Sequence, residues 1–272
     1  MSKKIIAKST AKVVAVSPVP FNQVPVIITA KNKEQKDLLQ AISQNDITFV
    51  KGSPGSGKSH IAVAYGLQAV LRGDFEQLIL TRPVVEACGE KLGFLPGTMY
   101  DKIDPYMMPI MEILNKLVPP STLNQLMHKN GNGNGSNGNG VHHSVIRIIP
   151  LAYMRGLTMC NSFVVADEIQ NSTPTQMRML LTRLGENSKM VLCGDIYQTD
   201  IYQTNGLADA FELLQDINGI GFVTLTQDSI MRHPVIKEVE TRYMDRQKKE
   251  TEEKSEKEKT AKKEKHAAKK NV

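Results

Sequence analysis

Short apolar runs alternate along the chain with longer stretches in which apolar residues return every three or four positions. The runs at 25–29, 47–51, 77–80, 145–149, 163–166, 190–193 and 221–225 predict β-strands. Several are continuous rather than alternating, such as Phe163-Val164-Val165-Ala166 and Met190-Val191-Leu192-Cys193. A strand apolar on every position is buried on both faces, which favours a mostly parallel sheet between two helical layers. The periodic stretches at 33–43, 58–72, 104–117, 174–184, 206–216 and 234–246 predict helices. The stretch 174–184 is the best marked. Thr173 and Gln176 have the spacing of a capping box, Pro174 suits the first helical position, and Gly185 suits the stop. Met177, Leu180, Leu181 and Leu184 then form its apolar stripe. Strands alternating with helices predict an α/β fold.

Texture divides the chain into a loose Lys/Ser/Val/Pro-rich arm at 1–20, one globular domain at 21–245 and a Lys/Glu-rich tail at 246–272. Within the domain, 130–140 holds five Asn, five Gly and one Ser, a composition that buries no apolar area and predicts a flexible surface loop. The tail has eleven basic residues against six Glu, a net +5, so the +6 of the whole chain leaves only +1 for residues 1–245. The charge surplus therefore belongs to the tail and says almost nothing about what the domain binds. The near absence of apolar residues predicts a solvated, partly helical or disordered appendage.

With 5% aromatic residues and no Trp, the core must be aliphatic and Met-rich, and Met107, Met108 and Met111 fall on helical spacing as core candidates. No run approaches the roughly 18 apolar residues of a membrane-spanning helix. The basic start is followed by only a short apolar run ended by Ser17 and Pro18, a poor secretory signal. Cys88, Cys160 and Cys193 are far apart with no CxxC and read as reduced thiols, which points to the cytoplasm. Adjacent His142 and His143 would point to opposite faces of a strand, so they serve one metal ion poorly.

Three strand ends carry chemistry. Gly52-Ser53-Pro54-Gly55-Ser56-Gly57-Lys58-Ser59 satisfies G-x-x-x-x-G-K-[ST] between a strand and a helix. Glycines let backbone N–H groups turn toward phosphate oxygens, and the helix N-terminus, with His60 in its first turn, adds partial positive charge. Lys58 would bridge the β- and γ-phosphates of ATP, and the Ser59 hydroxyl would ligate Mg²⁺. Next, the apolar strand 163–166 delivers Asp167 and Glu168 to its C-terminal end, Asp167 for the Mg²⁺ shell and Glu168 as general base for the attacking water. Then 190–193 ends in Gly194-Asp195-Ile196-Tyr197-Gln198, where Asp195 and Gln198 could sense the γ-phosphate or form a solvated turn. Gln35, ahead of the P-loop strand, could pair with the adenine edge or stand exposed on its helix. Arg82, at another strand end, could meet phosphate, nucleic acid or a carboxylate. Arg232 could reach a γ-phosphate in its own or an adjacent subunit, or form a surface salt bridge.

Thr81-Arg82-Pro83-Val84-Val85-Glu86, Gly89 to Gly97, Ala152 to Gly156, Asp167 to Asn171, Gly194 to Gln198 and Arg232-His233-Pro234, in that order, resemble the PhoH family of P-loop ATPases. The resemblance spans roughly 33–243 and implies a RecA-like core related to superfamily 1 helicases, often a hexameric ring. It also implies ATP hydrolysis associated with RNA or single-stranded nucleic acid, and a link to phosphate starvation. By that resemblance Gly52–Ser59 is the Walker A loop, Asp167 and Glu168 the Walker B pair, Gly194, Asp195 and Gln198 the sensor motif, and Arg232 the arginine finger. The family commonly has Arg at the place of Leu157 and Ala at the place of Ile169. The chain has no room for the nuclease or KH-type domain that some relatives carry, which implies a compact phage or bacterial member. Three function classes follow: an ATPase working with RNA or single-stranded DNA, an ATP-gated ring-forming interaction protein with weak turnover, and, least favoured, a small-molecule kinase.

Overall fold

The computed structural model describes residues 26–84, 99–127 (side chains from 105), 144–201 and 204–226, with nine single positions from 229 to 246. The arm 1–20, the loop 130–140, the segment 89–97, Cys88, His142, His143, the Arg232 triplet and the tail beyond 246 lie outside the described residues.

Six strands form one parallel sheet: β1 (Ile47–Gly52), β2 (Gln77–Thr81), β3 (Ile146–Ile148), β4 (Ser162–Ala166), β5 (Lys189–Gly194) and β6 (Ile220–Leu225). Their order across the sheet is β3-β2-β4-β5-β1-β6, and every pairing is parallel. Successive side chains of a strand face opposite ways, and the two cores follow that alternation. Val50, Leu78, Leu80, Phe163, Val165, Val191 and Cys193 line one face. There they meet α1 (Lys33–Gln44), α2 (Lys58–Arg72), α3 (Met99–Leu117) and α4 (Pro120–Met127). Phe49, Ile79, Val164, Ala166, Met190 and Leu192 line the other, against α5 (Pro174–Leu181) and α6 (Gly206–Leu213).

The expected α/β architecture is therefore present, and the differences are local. The run 25–29 predicts a strand, yet 26–30 has no regular structure and Ile27 is 74% exposed. An extended segment becomes a strand only beside a free sheet edge. Here the Val26 carbonyl accepts instead from the Gln68 side chain at 2.8 Å. The capping box of α5 forms as expected, but the helix stops at Leu181. The backbone then turns so that Leu184 bridges Met159 and the Gly185 N–H donates to the Met159 carbonyl at 2.8 Å. Helix α6 ends at Leu213 rather than 216, because the chain turns toward Gly219, whose carbonyl accepts from Asp46 and Ile47 N–H. Helix α3 starts earlier than expected and carries Pro105 and Pro109 inside it. Helix α4 has no counterpart in the sequence expectations. Met107 is buried, but Met108 is 55% exposed on the outer side of α3. All described positions between 235 and 246 are helical, in agreement with the expected helix there.

Helix α2 lies very close to the sheet. A Cβ on Gly66 would fall 2.4 Å from the Phe163 ring and 2.8 Å from Leu78. A side chain here must push α2 off β4 and β2. Gly66→Val is expected to destabilise the fold by about 1–3 kcal/mol, read as a lower urea midpoint at unchanged slope.

Candidate functional site

The parallel register brings the three motif-bearing strand ends to one edge. Lys51 pairs with Gly194, Thr81 with Ala166, and Ala166 with Leu192. Residues just past these pairs therefore share the C-terminal edge: the P-loop after β1, Arg82 after β2, Asp167 and Glu168 after β4, and Asp195 after β5. In an open parallel sheet this is the edge where ligands bind. Strand β5 sits between the P-loop strand and the carboxylate strand.

The loop is built around one carbonyl. Ser53 O accepts from the Ser56 N–H at 3.3 Å, the Ser56 hydroxyl at 2.8 Å and the Lys58 ammonium at 3.3 Å. Gly57, in the left-handed region at φ 91°, turns the backbone into α2, a conformation that costs a side-chain-bearing residue about 1 kcal/mol or more. Gln35 is buried rather than exposed. Its amide accepts from Lys31 N–H at 2.8 Å and donates to Ser56 O at 2.9 Å, so it braces the P-loop from α1. Pro54 and Gly55 lie in the turn before Ser56.

Lys58 is buried, with 8% of its surface exposed. The neighbouring Ser59 hydroxyl donates to Asp167 Oδ1 at 2.5 Å and ties the first turn of α2 to the end of β4. Burial pushes the Asp167 carboxyl above its ordinary value near 3.8. The charge of Glu168 adds to the rise, and the Ser59 bond, Arg82 and Lys58 oppose it. Glu168 itself sits in the left-handed region at φ 52°, opening the 3₁₀ turn Ile169–Asn171. Its Oε1 faces Arg82 at 3.6 Å and its Oε2 accepts from Gln170 Nε2 at 2.6 Å. Of the partners open to Arg82 in the sequence, the structure gives it this carboxylate and the Tyr106 carbonyl at 3.4 Å.

Asp195 is buried; its N–H donates to Gln170 Oε1 at 3.0 Å and its Oδ1 caps Tyr197 N–H at 3.0 Å. Gln198 is exposed at the same turn. His60 stands in the first turn of α2, where partial burial and the charges of Lys116 and Lys31 lower its pKa. Cys193 is buried on β5, and burial with the nearby Asp167 charge pushes its thiol well up, so it stays protonated. Arg232 lies outside the described residues.

Sequence reasoning left Gln170 without a role, although the structure places its buried amide between Glu168 and the β5 turn. It stands two residues after Glu168, but its other partners lie 25 and 28 positions away, a distance no local pattern reports.

A buried acidic side chain, a hydroxyl against it and a buried ammonium form a hard-oxygen and cationic set. It suits a small divalent cation that keeps most of its shell for phosphate oxygens and water. Among the described residues no cluster of three or more His, Cys, Asp or Glu could hold a metal ion alone. Phosphate would have to complete the shell. No helix among the described residues is long and apolar enough to cross a membrane.

These features define a class: a parallel α/β protein with a P-loop, whose Ser59, Lys58 and paired carboxylates meet at one sheet edge. The chain belongs to the PhoH family, whose description, PhoH-like protein, it matches over residues 27–244. The PhoH-like protein of Synechocystis sp. (strain PCC 6803) is 42% identical over 219 residues, covering 80% of this chain and 62% of the relative. The PhoH-like protein of Bacillus subtilis (strain 168) is 40% identical over 218 residues, covering 79% of this chain and 64% of the relative. The chain thus spans less than two thirds of the length of these curated relatives. Among solved structures, the ATPase domain of the large terminase of Thermus phage P74-26 is similar over 80% of this chain and 88% of that one, at 12% identity and a TM-score of 0.44.

The raised Asp167 pKa has a stability consequence with a definite sign. The folded chain holds this proton more tightly than the unfolded chain, so ionising the carboxyl costs stability. The cost is absent below about pH 3.8, grows as pH rises from there to the folded value, and is fully present above it. Asp167→Asn keeps an acceptor for Ser59 and removes the charge. Without nucleotide or Mg²⁺ it is expected to raise Tm at pH 7.5 by about 2–4 °C, with the gain vanishing toward pH 4.

Proposed function

We propose that this protein is a Mg²⁺-dependent ATPase that hydrolyses ATP to ADP and phosphate and works on or with RNA or single-stranded DNA. The observation that carries the reading is the Ser59–Asp167 bond at the end of a P-loop, with Lys58 and Glu168 beside it. Backbone N–H groups of Gly55, Gly57, Lys58 and Ser59, at the N-terminus of α2, hold the phosphates. Lys58 supplies a buried cation to the β- and γ-phosphates. Asp167 and Ser59 would hold Mg²⁺, which when bound neutralises charge on the phosphate oxygens. Glu168 takes the proton of a water whose oxygen attacks the γ-phosphorus as the bond to the β–γ bridging oxygen breaks. Asp195 and Gln198 respond to the γ-phosphate, and Gln35 keeps the loop in shape through the Ser56 carbonyl. Arg232 is the candidate for stabilising transition-state charge, within or across subunits of a hexameric ring.

The nucleic-acid partner is supported by motif order and family resemblance. With 5% aromatic residues the contact would be backbone-directed and salt-sensitive rather than a stacking platform. One observation favours a second reading. Residues 1–245 carry a net charge of only +1, which suits an ATP-gated, ring-forming interaction protein with weak turnover as well as a nucleic-acid motor.

Phosphate release, measured with and without single-stranded RNA or DNA, separates the two. Hydrolysis is expected in the wild type, with stimulation by nucleic acid, and a fall of about 100-fold or more in Lys58→Ala and Glu168→Gln. Wild-type turnover no greater than that of Lys58→Ala contradicts the enzyme reading; turnover indifferent to nucleic acid, with no low-salt binding, selects the interaction protein. Removal of 246–272 is expected to weaken low-salt nucleic-acid binding and leave basal hydrolysis intact.

A further inference from the structure

We propose that Gln170 is a positioning residue that sets the direction of the Glu168 carboxylate and makes it follow the turn after β5. The inference rests on the reading of Glu168 as general base and goes beyond it by naming what holds that base.

The Gln170 side chain is 1% exposed, and its amide is fully engaged on both sides. Nε2 has two hydrogens and two acceptors: Glu168 Oε2 at 2.6 Å and the Gln198 carbonyl at 2.9 Å. Oε1 accepts from the Asp195 N–H at 3.0 Å. One planar amide thus spans from the carboxylate at the end of β4 to both ends of the turn 195–198. A carboxylate oxygen on a charge-assisted bond this short does not rotate freely. Movement of the turn must either carry Glu168 along or break a buried hydrogen bond.

Two further observations bind the same elements. Asn171 accepts from the Asp200 N–H at 2.8 Å and donates to the Asp200 carboxylate at 3.2 Å. The 3₁₀ turn 169–171 and the segment 195–200 are therefore joined at two successive residues. In addition, a Cβ on Gly194 would stand 2.6 Å from Gln170 Oε1 and 3.2 Å from Gln170 N. The amide reaches the Asp195 N–H because β5 ends in a residue without a side chain. Glu168 is also held on its other oxygen by Arg82 at 3.6 Å, so loss of the Gln170 bond leaves the longer contact to swing the carboxylate toward β2.

The test uses steady-state ATP hydrolysis by the full chain carrying Gln170→Met, which fills the same volume without an amide. Gln170→Glu is the second variant. It keeps the acceptor for Asp195 and replaces the amide donor to Glu168 with a carboxyl oxygen. Thermal unfolding checks both proteins, and the nearly isosteric Gln170→Glu keeps the test open where Gln170→Met does not fold. The expected result is a kcat lower by about 10–100-fold with the KM for ATP within about twofold of wild type. In a Glu168→Gln background the same substitutions are expected to change the residual rate by no more than about twofold, because Gln170 acts through Glu168. A folded variant with wild-type kcat overturns the proposal, as does an equal loss in both backgrounds or a KM that rises as kcat falls. Wild-type protein without hydrolysis contradicts the ATPase reading itself, whereas a hydrolysing wild type matched by its Gln170 variants contradicts this inference alone.

Discussion

The Asp167 carboxyl sits at the end of a strand buried on both faces, 5% exposed, with its backbone N–H committed to the Thr81 carbonyl at 2.9 Å. It is held against water by the same parallel sheet that supplies the fold's core. Nothing on β4 compensates that burial, because Phe163 to Ala166 are apolar on both sides. The compensation comes from neighbouring elements: Ser59 and Lys58 from the first turn of α2, and Arg82 just past β2. With β2 and β5 flanking β4, and β1 one strand further, these groups converge on one edge.

The site sets two adjacent carboxylates against Lys58 and Arg82, but the buried Lys58 ammonium bonds a backbone carbonyl and Arg82 pairs with Glu168 rather than Asp167. A divalent cation would relieve Asp167, and polyphosphate would draw Lys58 from Ser53. The site is thus poorer in stability than it would be with neutral residues, as is common where function sets the residue types. The backbone adds to this cost at Glu168, a non-glycine residue at φ 52°.

Much of the fold was legible because both-face burial writes continuous apolar runs, as in β2, β4 and β5, and six of the seven expected strands form. The seventh, 25–29, fails because an apolar run does not say whether a sheet edge is free to receive it. Helix α4 was missed since its eight residues give barely two turns of periodicity. Met108 misled because a helix presents adjacent residues to different sides, and Met107 already takes the buried one. Gly185 suits a helix stop by sequence, whereas in the fold its role is a close approach. A Cβ there would meet the Met159 carbonyl at 2.8 Å. At the site, the P-loop and the Asp167-Glu168 pair were legible because their meaning is local: a residue type at a strand end. The brace by Gln35 and the bridge by Gln170 were not, since each is defined by a partner 21 or more positions away. Both are neutral amides, whose donor and acceptor fit a loop carbonyl or N–H as readily as a ligand.

If Asp167 and Ser59 hold a divalent cation together with a nucleotide bound at the P-loop, the effect of the metal on nucleotide binding depends on the Asp167 carboxylate. Calorimetric titration of ATP into the wild type and Asp167→Asn, each with Mg²⁺ and with EDTA, tests it most directly. Mg²⁺ is expected to tighten ATP binding by the wild type about tenfold or more, while Asp167→Asn binds equally with or without it. An Mg²⁺ increment of the same size in both proteins would contradict it.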